Sequence, residues 1–352
     1  MERVFQWLRY AIVGLSILYS ATHIIVWLAA DLYLPDFVVF WTAGRATLVD
    51  PALVYNTQFI TEAQRWLTHT TAFPRPFAYP PTALLLFAPL AMLPVWWSYV
   101  AWNALSLTAY LLAARRFVQG RLLLFAAFSP AVVFTVMTGQ TALLTAAAIM
   151  ISIPLLVKRP FLAGVLMGLA GSVKPQSLLL APLALAVGRH WTGLLGFFCG
   201  GAIMLVMSLV FGFTPWLDWW FSLREFGQIV EELDLMVSSV TPTGVAAIMG
   251  VSEGASIVLQ IAGVLAGLYL VWWSFRQDDV SMRVVGLVCG GLLCSPYAMT
   301  YELAALVPVC IAALFSGRPW GLAMGLPLTT AGGMFNIPIA ALAVIMDRRG
   351  IR

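Results

Sequence analysis

The chain has 352 residues, of which 61% are hydrophobic and only 10% are charged. Its mean hydropathy is +0.92, which excludes an ordinary soluble domain and indicates an integral membrane protein with many spans. The net charge of +4 does not indicate nucleic acid, because basic residues are needed to orient membrane helices. We therefore expect one all-α polytopic domain over 1–352, with the bilayer and no nucleic acid among its partners.

The first predicted span runs from Tyr10 to Ala30 and contains no Asp, Glu, Lys or Arg. At about 1.5 Å per helical residue it is long enough to cross a bilayer core of about 30 Å. It is too long for a removed signal peptide and lacks the small-residue cleavage site, so we expect it to stay as an anchor. Arg3 and Arg9 flank it, which puts the N-terminus in the cytoplasm.

The next region, 31–94, has mixed polarity and is interpreted as a first outer loop with short interfacial helices. Asp36 lies near its start, at the membrane–water boundary. A carboxylate there is either a solvated loop charge or an acid/base group held over a lipid-borne substrate. Near the end of the region, Pro81 is predicted to start a short helix that lies on or dips into the outer face. The run from Val95 to Ala114 then makes the crossing.

The later apolar runs pair off, and each pair meets at a short polar hinge. With basic clusters inside and hinges outside, the pattern predicts about 12 transmembrane helices with both termini inside. This sorting puts most of the 19 basic residues inside and most of the 15 acidic residues outside. Several spans are short, so their hinges are expected to sink below the outer surface and converge on an outward-facing site. The hinges are Gly139-Gln140, Lys174-Pro175-Gln176 and Ser295-Pro296-Tyr297.

A second outer loop is predicted at 212–254. It is acidic and has Arg224 as its only cation. Trp216, Trp219 and Trp220 lie at its start. They form either an aromatic belt at the membrane interface or a surface on which a sugar stacks. Both interpretations keep this loop on the outer side.

Several short motifs occur in a fixed order between Asp36 and Pro308, in segments that the predicted topology puts on the outer side. No single motif is specific to a family, so the evidence lies in their order and in their shared placement. They are Asp36-Phe37 with Phe40 and Ala43, Val54-Tyr55, Tyr79-Pro80-Pro81, Gly139-Gln140, Lys174-Pro175 and Ser295-Pro296-Tyr297.

In this order the motifs resemble glycosyltransferase family 87. The resemblance implies an inverting, multispanning hexosyltransferase that takes a sugar, mannose or another hexose, from a polyprenyl-phosphate donor. It implies a lipid-linked or envelope glycan acceptor, no nucleotide sugar, no cofactor and usually no metal. It also implies a cell membrane location, most simply the bacterial inner membrane, with the active site facing the periplasm or exterior.

Catalytic roles follow from the resemblance and from position. Asp36 is the expected base for the acceptor hydroxyl. Glu302, five residues past Tyr297, is a second catalytic candidate because carboxylates at a membrane boundary are commonly functional. The family often has a His or Asp near this tyrosine, whereas here Met299 and Glu302 occupy the stretch, so the role of this hinge stays open.

Substrate contacts are expected from cations and from short polar side chains. Cations stabilise the charge of a leaving phosphate, but Lys174 is alternatively an interfacial lysine that snorkels, and Arg45 alternatively pairs with Asp36. The amides and phenols are alternatively helix caps or interhelical hydrogen bonds. The substrate-binding candidates are Arg45, Tyr79, Gln140, Lys174, Gln176, Arg224 and Tyr297.

Two other classes of protein remain open. A polytopic transporter or lipid-linked sugar flippase would also have charges near broken helices. It would normally have inverted repeats and charges near mid-span, and neither is evident in the sequence. A non-catalytic membrane partner in an assembly complex is the third class. Topology discriminates between them, because a transferase needs Asp36, Lys174 and Glu302 on one side, facing one pocket.

Overall fold

The computed structural model describes residues 2–29, 36–68, 75–316 and 328, and the regular secondary structure in these ranges is helical throughout. Short 3-10 helices separate some of the α-helices, at Pro51–Leu53, Pro81–Ala83, Pro175–Leu178, Leu209–Phe211, Leu235–Ser238 and Thr300–Ala305. The α-helices are α1 (Glu2–Ala29), α2 (Phe37–Val49), α3 (Thr57–Thr68), α4 (Leu84–Leu90), α5 (Val95–Ala114), α6 (Arg121–Ala127), α7 (Pro130–Thr138), α8 (Ala142–Leu155), α9 (Pro160–Val173), α10 (Ala181–Val187), α11 (Trp191–Ser208), α12 (Thr214–Glu232), α13 (Pro242–Met249), α14 (Glu253–Phe275), α15 (Val280–Cys294) and α16 (Val307–Leu314).

Three helical stretches are long and apolar enough to cross a membrane: Gln6–Ala29, Trp191–Phe211 and Glu253–Phe275. Less than a quarter of each is buried inside the protein. Apolar helices with so much exposed surface are expected to face lipid, because water would not solvate them. The predicted first span is confirmed as far as Ala29, and Ala30 lies outside the described residues.

Two helix pairs are bent spans or re-entrant loops. Pro81–Leu90 and Val95–Ala114 meet at 116°, and Arg121–Ala127 and Pro130–Thr138 meet at 46°. The predicted short helix at Pro81 and the long helix from Val95 are both confirmed. With each bent pair counted as one span, the described part of the chain has up to 5 candidate spans, and the larger count of twelve stays a prediction.

The helices around the predicted hinges are short. α8 and α9 have 14 residues each and α15 has 15, which corresponds to about 21–23 Å against a bilayer core of about 30 Å. All three hinges are breaks between helices, as predicted. The final predicted spans and the C-terminal basic cluster lie after Ser316, outside the described residues.

Helices α9 and α11 pack in direct backbone contact. A Cβ atom added at Gly164 would lie 1.8 Å from the carbonyl oxygen of Gly193, and one added at Gly200 would lie 2.5 Å from that of Val165. Small residues at such spacing let two membrane helices approach closely. This contact fixes the position of α9, whose C-terminal end leads directly into Lys174.

An aromatic cluster forms around α2, the helix that follows Asp36. Phe40 stacks on Phe87 of α4 with ring centroids 4.5 Å apart, and Phe87 lies 5.1 Å from Trp102 of α5. Phe37 and Phe40 are almost completely buried. Burying side chains of this size stabilises each by about 1.5–3 kcal/mol, so the first turn of α2 is firmly held against α4 and α5.

Candidate active site

Asp36 is the residue that precedes the first turn of α2, and its side chain is 29% exposed. Its Oδ2 atom accepts a hydrogen bond of 2.9 Å from Nε2 of Gln140, and its Oδ1 atom lies 3.8 Å from a guanidinium nitrogen of Arg75. Burial raises the pKa of the Asp36 carboxyl above its ordinary value, while Gln140, Arg75 and Lys174 act in the opposite direction. Asp36 is therefore a carboxylate of increased basicity with an open side.

The turn at Gly139 positions Gln140 beside Asp36. Gly139 ends α7 with a φ of +71°, a left-handed conformation that favours glycine. A Cβ atom there would lie 2.5 Å from Cβ of Phe37, so only glycine lets the first residue of α2 pack onto this turn. The indole of Trp102 also donates a hydrogen bond of 3.0 Å to the Gly139 carbonyl. The two short sequence motifs Asp36-Phe37 and Gly139-Gln140 are therefore one packed unit.

Tyr79 joins this unit through the same amide. Its hydroxyl donates to Oε1 of Gln140 at 2.8 Å. The backbone carbonyl of Tyr79 accepts a hydrogen bond of 2.8 Å from the Tyr55 hydroxyl, and its ring lies edge-on to Phe40 at 5.0 Å. The segment leading to Tyr79 is also held by α12, where Trp219 donates to the carbonyl of Ala78 at 3.2 Å. Elements from both predicted outer loops therefore hold Tyr79.

Lys174 and Glu302 form a buried ion pair, with side chains only 2% and 7% exposed. The second carboxylate oxygen of Glu302 accepts a hydrogen bond of 3.0 Å from Ser177. The Lys174 ammonium also lies 4.8 Å from the ring centroid of Tyr301 and 5.7 Å from that of Tyr79. Burial alone would lower the pKa of Lys174, but Glu302 and Tyr79 outweigh it and raise that pKa. Lys174 is therefore a fixed positive charge.

The third hinge is fixed by the chain between α12 and α13. The Ala298 carbonyl accepts hydrogen bonds from the Val240 N–H at 2.8 Å and the Ser239 hydroxyl at 3.0 Å. Tyr297 lies in this hinge, and its ring is 6.2 Å from that of Phe226. Burial, together with the negative charge of Asp36, raises the pKa of Tyr297 to about 12. Its hydroxyl is therefore a neutral donor on the Asp36 side of the molecule.

Five of the predicted site residues are thus brought together in two groups. Asp36, Gln140 and Tyr79 form one, and Lys174 and Glu302 form the other. Tyr79 links the two groups because it contacts both Gln140 and Lys174. Tyr297 lies near them. The remaining three are exposed and not part of these groups: Arg45 on α2, Arg224 on α12 and Gln176 on the 3-10 helix after α9. Gln176 lines a small cavity of about 20 Å³ with Ser177 and Glu302, enough for about one water molecule.

The structure adds Arg75, Ser177 and Tyr301, which the sequence analysis did not select. Arg75 contacts Asp36 in the manner that had been considered for Arg45. Arg75 is one of the few basic residues predicted outside, and the prolines on both sides of it restrict its backbone. These two features are the signal by which the sequence could have indicated Arg75 as a site residue. Ser177 donates a hydrogen bond to Glu302, and the ring of Tyr301 lies 4.8 Å from the Lys174 ammonium. No spacing in the sequence indicates these contacts.

The fold and site define a helical membrane protein. In it a carboxylate with a raised pKa, Asp36, and the cations Arg75 and Lys174 belong to one polar network. The sequence model of glycosyltransferase family 87 matches residues 77–296, more than half of the chain, and the chain belongs to this family. It is therefore a glycosyltransferase of the membrane. Comparisons with curated proteins and with solved structures each found no match.

The matched segment contains only part of the network. Tyr79, Gln140 and Lys174 lie inside 77–296, whereas Asp36 precedes it and Glu302 follows it. Hydrogen bonding to Gln140 and ion pairing with Lys174 attach these two carboxylates to the family segment. The family assignment and the carboxylate geometry are therefore independent observations.

Proposed function

We propose that the protein is a multispanning hexosyltransferase that moves a sugar, mannose or another hexose, from a polyprenyl-phosphate donor. The acceptor is a lipid-linked or envelope glycan on the outer face of the cell membrane, and the configuration at the anomeric carbon is inverted. The observation that carries the proposal is the half-buried Asp36 carboxylate beside Arg75, with the positive charge of Lys174 also acting on it. Transfer of a sugar from a phosphate donor requires a base for the acceptor hydroxyl and, close to it, cations that stabilise the departing phosphate.

Asp36 supplies the base in this proposal. The acceptor oxygen attacks the anomeric carbon while the bond from that carbon to the donor phosphate oxygen breaks. The hydroxyl proton passes to Asp36, and the lipid phosphate leaves with the bonding electron pair. A single-displacement reaction needs no covalent sugar–enzyme intermediate, so one carboxylate base suffices. Burial raises the pKa of Asp36 and so increases its strength as a base near neutral pH.

Arg75 and Lys174 supply positive charge for the departing phosphate. The Arg75 side chain is 32% exposed, and the planar guanidinium group is suited to binding a phosphate. Lys174 acts at longer range, because its ammonium is buried against Glu302. We therefore propose Glu302 as the counter-ion that keeps Lys174 charged and in place, with Asp36 as the sole base. Tyr297 lies within electrostatic reach of Asp36 and Lys174 and is proposed to contact donor or sugar.

The test uses purified protein in detergent with a short-chain, water-soluble polyprenyl-phosphate hexose. Asp36→Asn keeps the shape of the side chain but removes proton acceptance, so the transfer rate should fall by about 10²–10⁴-fold. Asp50→Asn, in an exposed cap of the same outer region, should transfer at the wild-type rate. Near-normal transfer by Asp36→Asn would move the base elsewhere, with Glu302 the next to test.

Donor and acceptor are identified by comparing lipids and glycans of cells with and without the gene. Loss of one glycosylated species, with accumulation of its unglycosylated precursor, names the acceptor. The anomeric configuration of the product should be opposite to that of the donor. A retained configuration would contradict single displacement, and an unchanged glycan profile together with altered lipid-linked sugar distribution would favour a flippase.

A further inference from the structure

Gln140 is the residue through which Asp36 is attached to the rest of the site. Its side chain is only 6% exposed. Its oxygen accepts from two donors, the Tyr79 hydroxyl at 2.8 Å and the Thr141 backbone N–H at 3.2 Å. Its nitrogen donates to Oδ2 of Asp36 at 2.9 Å. A side-chain amide oxygen has two lone pairs, so both are used here by the protein itself.

The orientation of this amide is determined by its neighbours. A backbone N–H is always a donor, so the atom of Gln140 facing Thr141 is the oxygen. The opposite end, facing Asp36, is then the NH₂ group, which can only donate. The hydrogen bond therefore favours the ionised carboxylate and directs one of its oxygens, Oδ2, toward the Gly139 turn. Oδ1, the oxygen nearer Arg75, is left for the acceptor hydroxyl.

We propose that Gln140 is a positioning residue that orients the Asp36 carboxylate for proton transfer, that Tyr79 acts by holding the amide, and that Gln140 does not read the sugar. This inference rests on the proposed function, in which Asp36 is the base. It replaces the sequence-based expectation of a contact between Gln140 and a sugar hydroxyl, because the amide is only 6% exposed, both lone pairs of its oxygen are occupied and one of its two N–H groups already donates to Asp36. Gln140 then affects the rate of the chemical step more than donor affinity.

The first experiment compares Gln140→Leu with wild type in the transfer assay. Leucine keeps the approximate volume but cannot donate to Asp36, so kcat should fall by about 10- to 100-fold, the value of a hydrogen bond to a charged group. KM for the donor should change less than about threefold. Gln260→Leu, a partly buried glutamine in α14 whose amide donates to the Leu293 carbonyl, is the matched control and should keep wild-type kcat.

The pH profile separates positioning from a purely structural role. The Gln140 hydrogen bond lowers the pKa of Asp36, so its removal raises that pKa. Because the base must be ionised, the acid limb of the kcat profile should move to higher pH in Gln140→Leu. A sugar contact would instead raise KM and leave the acid limb unchanged, which would overturn the inference.

Tyr79→Phe tests the same chain of contacts with a milder change, the loss of one hydroxyl. It should lower kcat in the wild-type background but have almost no further effect when combined with Gln140→Leu, because contacting residues are non-additive. Additive losses would overturn the role assigned to Tyr79. Asp36→Asn distinguishes failure of the proposed base from failure of the positioning role. If that variant is active the proposed role of Asp36 as the base fails, whereas an inactive Asp36→Asn with a fully active Gln140→Leu and Tyr79→Phe refutes only the positioning role.

Discussion

At the scale of single residues, the ion pair of Lys174 and Glu302 determines which carboxylate of the site is able to act as a base. Both side chains are almost completely buried, and a buried charge without a partner is costly. Glu302 has one oxygen on Lys174 and the other on Ser177. Such a carboxylate is engaged as a counter-ion, which leaves the more open Asp36 as the group able to accept a proton.

Breaking this pair should cost stability in a way that a double substitution repairs. Lys174→Met leaves Glu302 buried and unpaired, so we expect a loss of about 3–5 kcal/mol, whereas Lys174→Arg should be tolerated better because it keeps the charge. Adding Glu302→Gln to Lys174→Met should restore most of the loss. Thermal unfolding in detergent measures this, with Arg45→Met, an exposed cation, as the control.

Turnover of the same variants tests the electrostatic role of Lys174. If the double variant regains stability but not transfer, the ammonium charge contributes to departure of the phosphate. If it regains both, the pair is structural and the assignment of Lys174 to the phosphate is wrong. Donor concentration should be varied, so that weaker donor binding is distinguished from a slower chemical step.

Arg75 should set the pH dependence of transfer. Its positive charge lowers the pKa of Asp36, so Arg75→Met should raise that pKa. The carboxylate is then protonated at a higher pH, and the acid limb of the rate profile should move upward in pH. Arg65→Met removes an exposed arginine of α3 and should leave the profile unchanged. An acid limb that stays in place in Arg75→Met would mean that this arginine does not act on the base.

At the scale of elements, the close contact of α9 and α11 makes two glycines of one helix behave differently. A Cβ atom at Gly164 would meet the backbone of α11, whereas one at Gly171 would make ordinary contacts, the nearest at 3.4 Å. Gly164→Ala should therefore destabilise the protein by about 1–3 kcal/mol. Gly171→Ala should be neutral or slightly stabilising, because alanine is the better helix former.

Thermal unfolding of the two alanine variants in detergent gives the comparison, and transfer rates give a second measurement. Because α9 leads directly into Lys174, a displaced α9 should also lower turnover in Gly164→Ala. Equal unfolding temperatures for the two variants would contradict the backbone contact that defines this helix pair.

Individual elements were predictable to different degrees. The apolar run from Val95 gave the bounds of α5 as observed, and the three hinges were found because prolines and polar residues interrupt apolar runs there. The partner of Asp36 was not predicted. Arg45 is closer to Asp36 in sequence, but the nine residues of helix between them separate their backbones by about 13 Å. Arg75 contacts Asp36, and Tyr79, four residues later, packs on Phe40 of α2, so tertiary packing and not sequence spacing sets the partner of Asp36.

At the scale of the whole molecule, topology is the property that tests the proposal as a unit. In a variant lacking the partly exposed Cys199 and Cys294, single cysteines at Asp50 and Ser238 should react with an impermeant thiol reagent from outside. A cysteine at Gln119, in the exposed connection between α5 and α6, should not. All three positions are exposed, so differences in labelling report the side of the membrane.

External labelling at Gln119 would mean that the helix from Pro81 crosses the membrane by itself, and the shared outer site would be lost. The family and the helical class could be predicted from composition and ordered motifs. The number of spans could not, since helices of 14 or 15 residues are too short to be counted by length alone. Two of their hinges are stabilised by contacts between residues more than a hundred positions apart, Gln140 with Asp36 and Lys174 with Glu302.

The distance in sequence between Lys174 and Glu302 has a consequence for biogenesis. The ribosome delivers the lysine more than a hundred residues before its counter-ion, a delay of the order of 10 s at about 5–20 residues per second. During that interval an ammonium between two short apolar helices has no carboxylate with which to enter the interior. The nascent α9–α10 segment must therefore wait at the lipid headgroups or in the insertion machinery, and the site closes only when the hinge carrying Glu302 arrives.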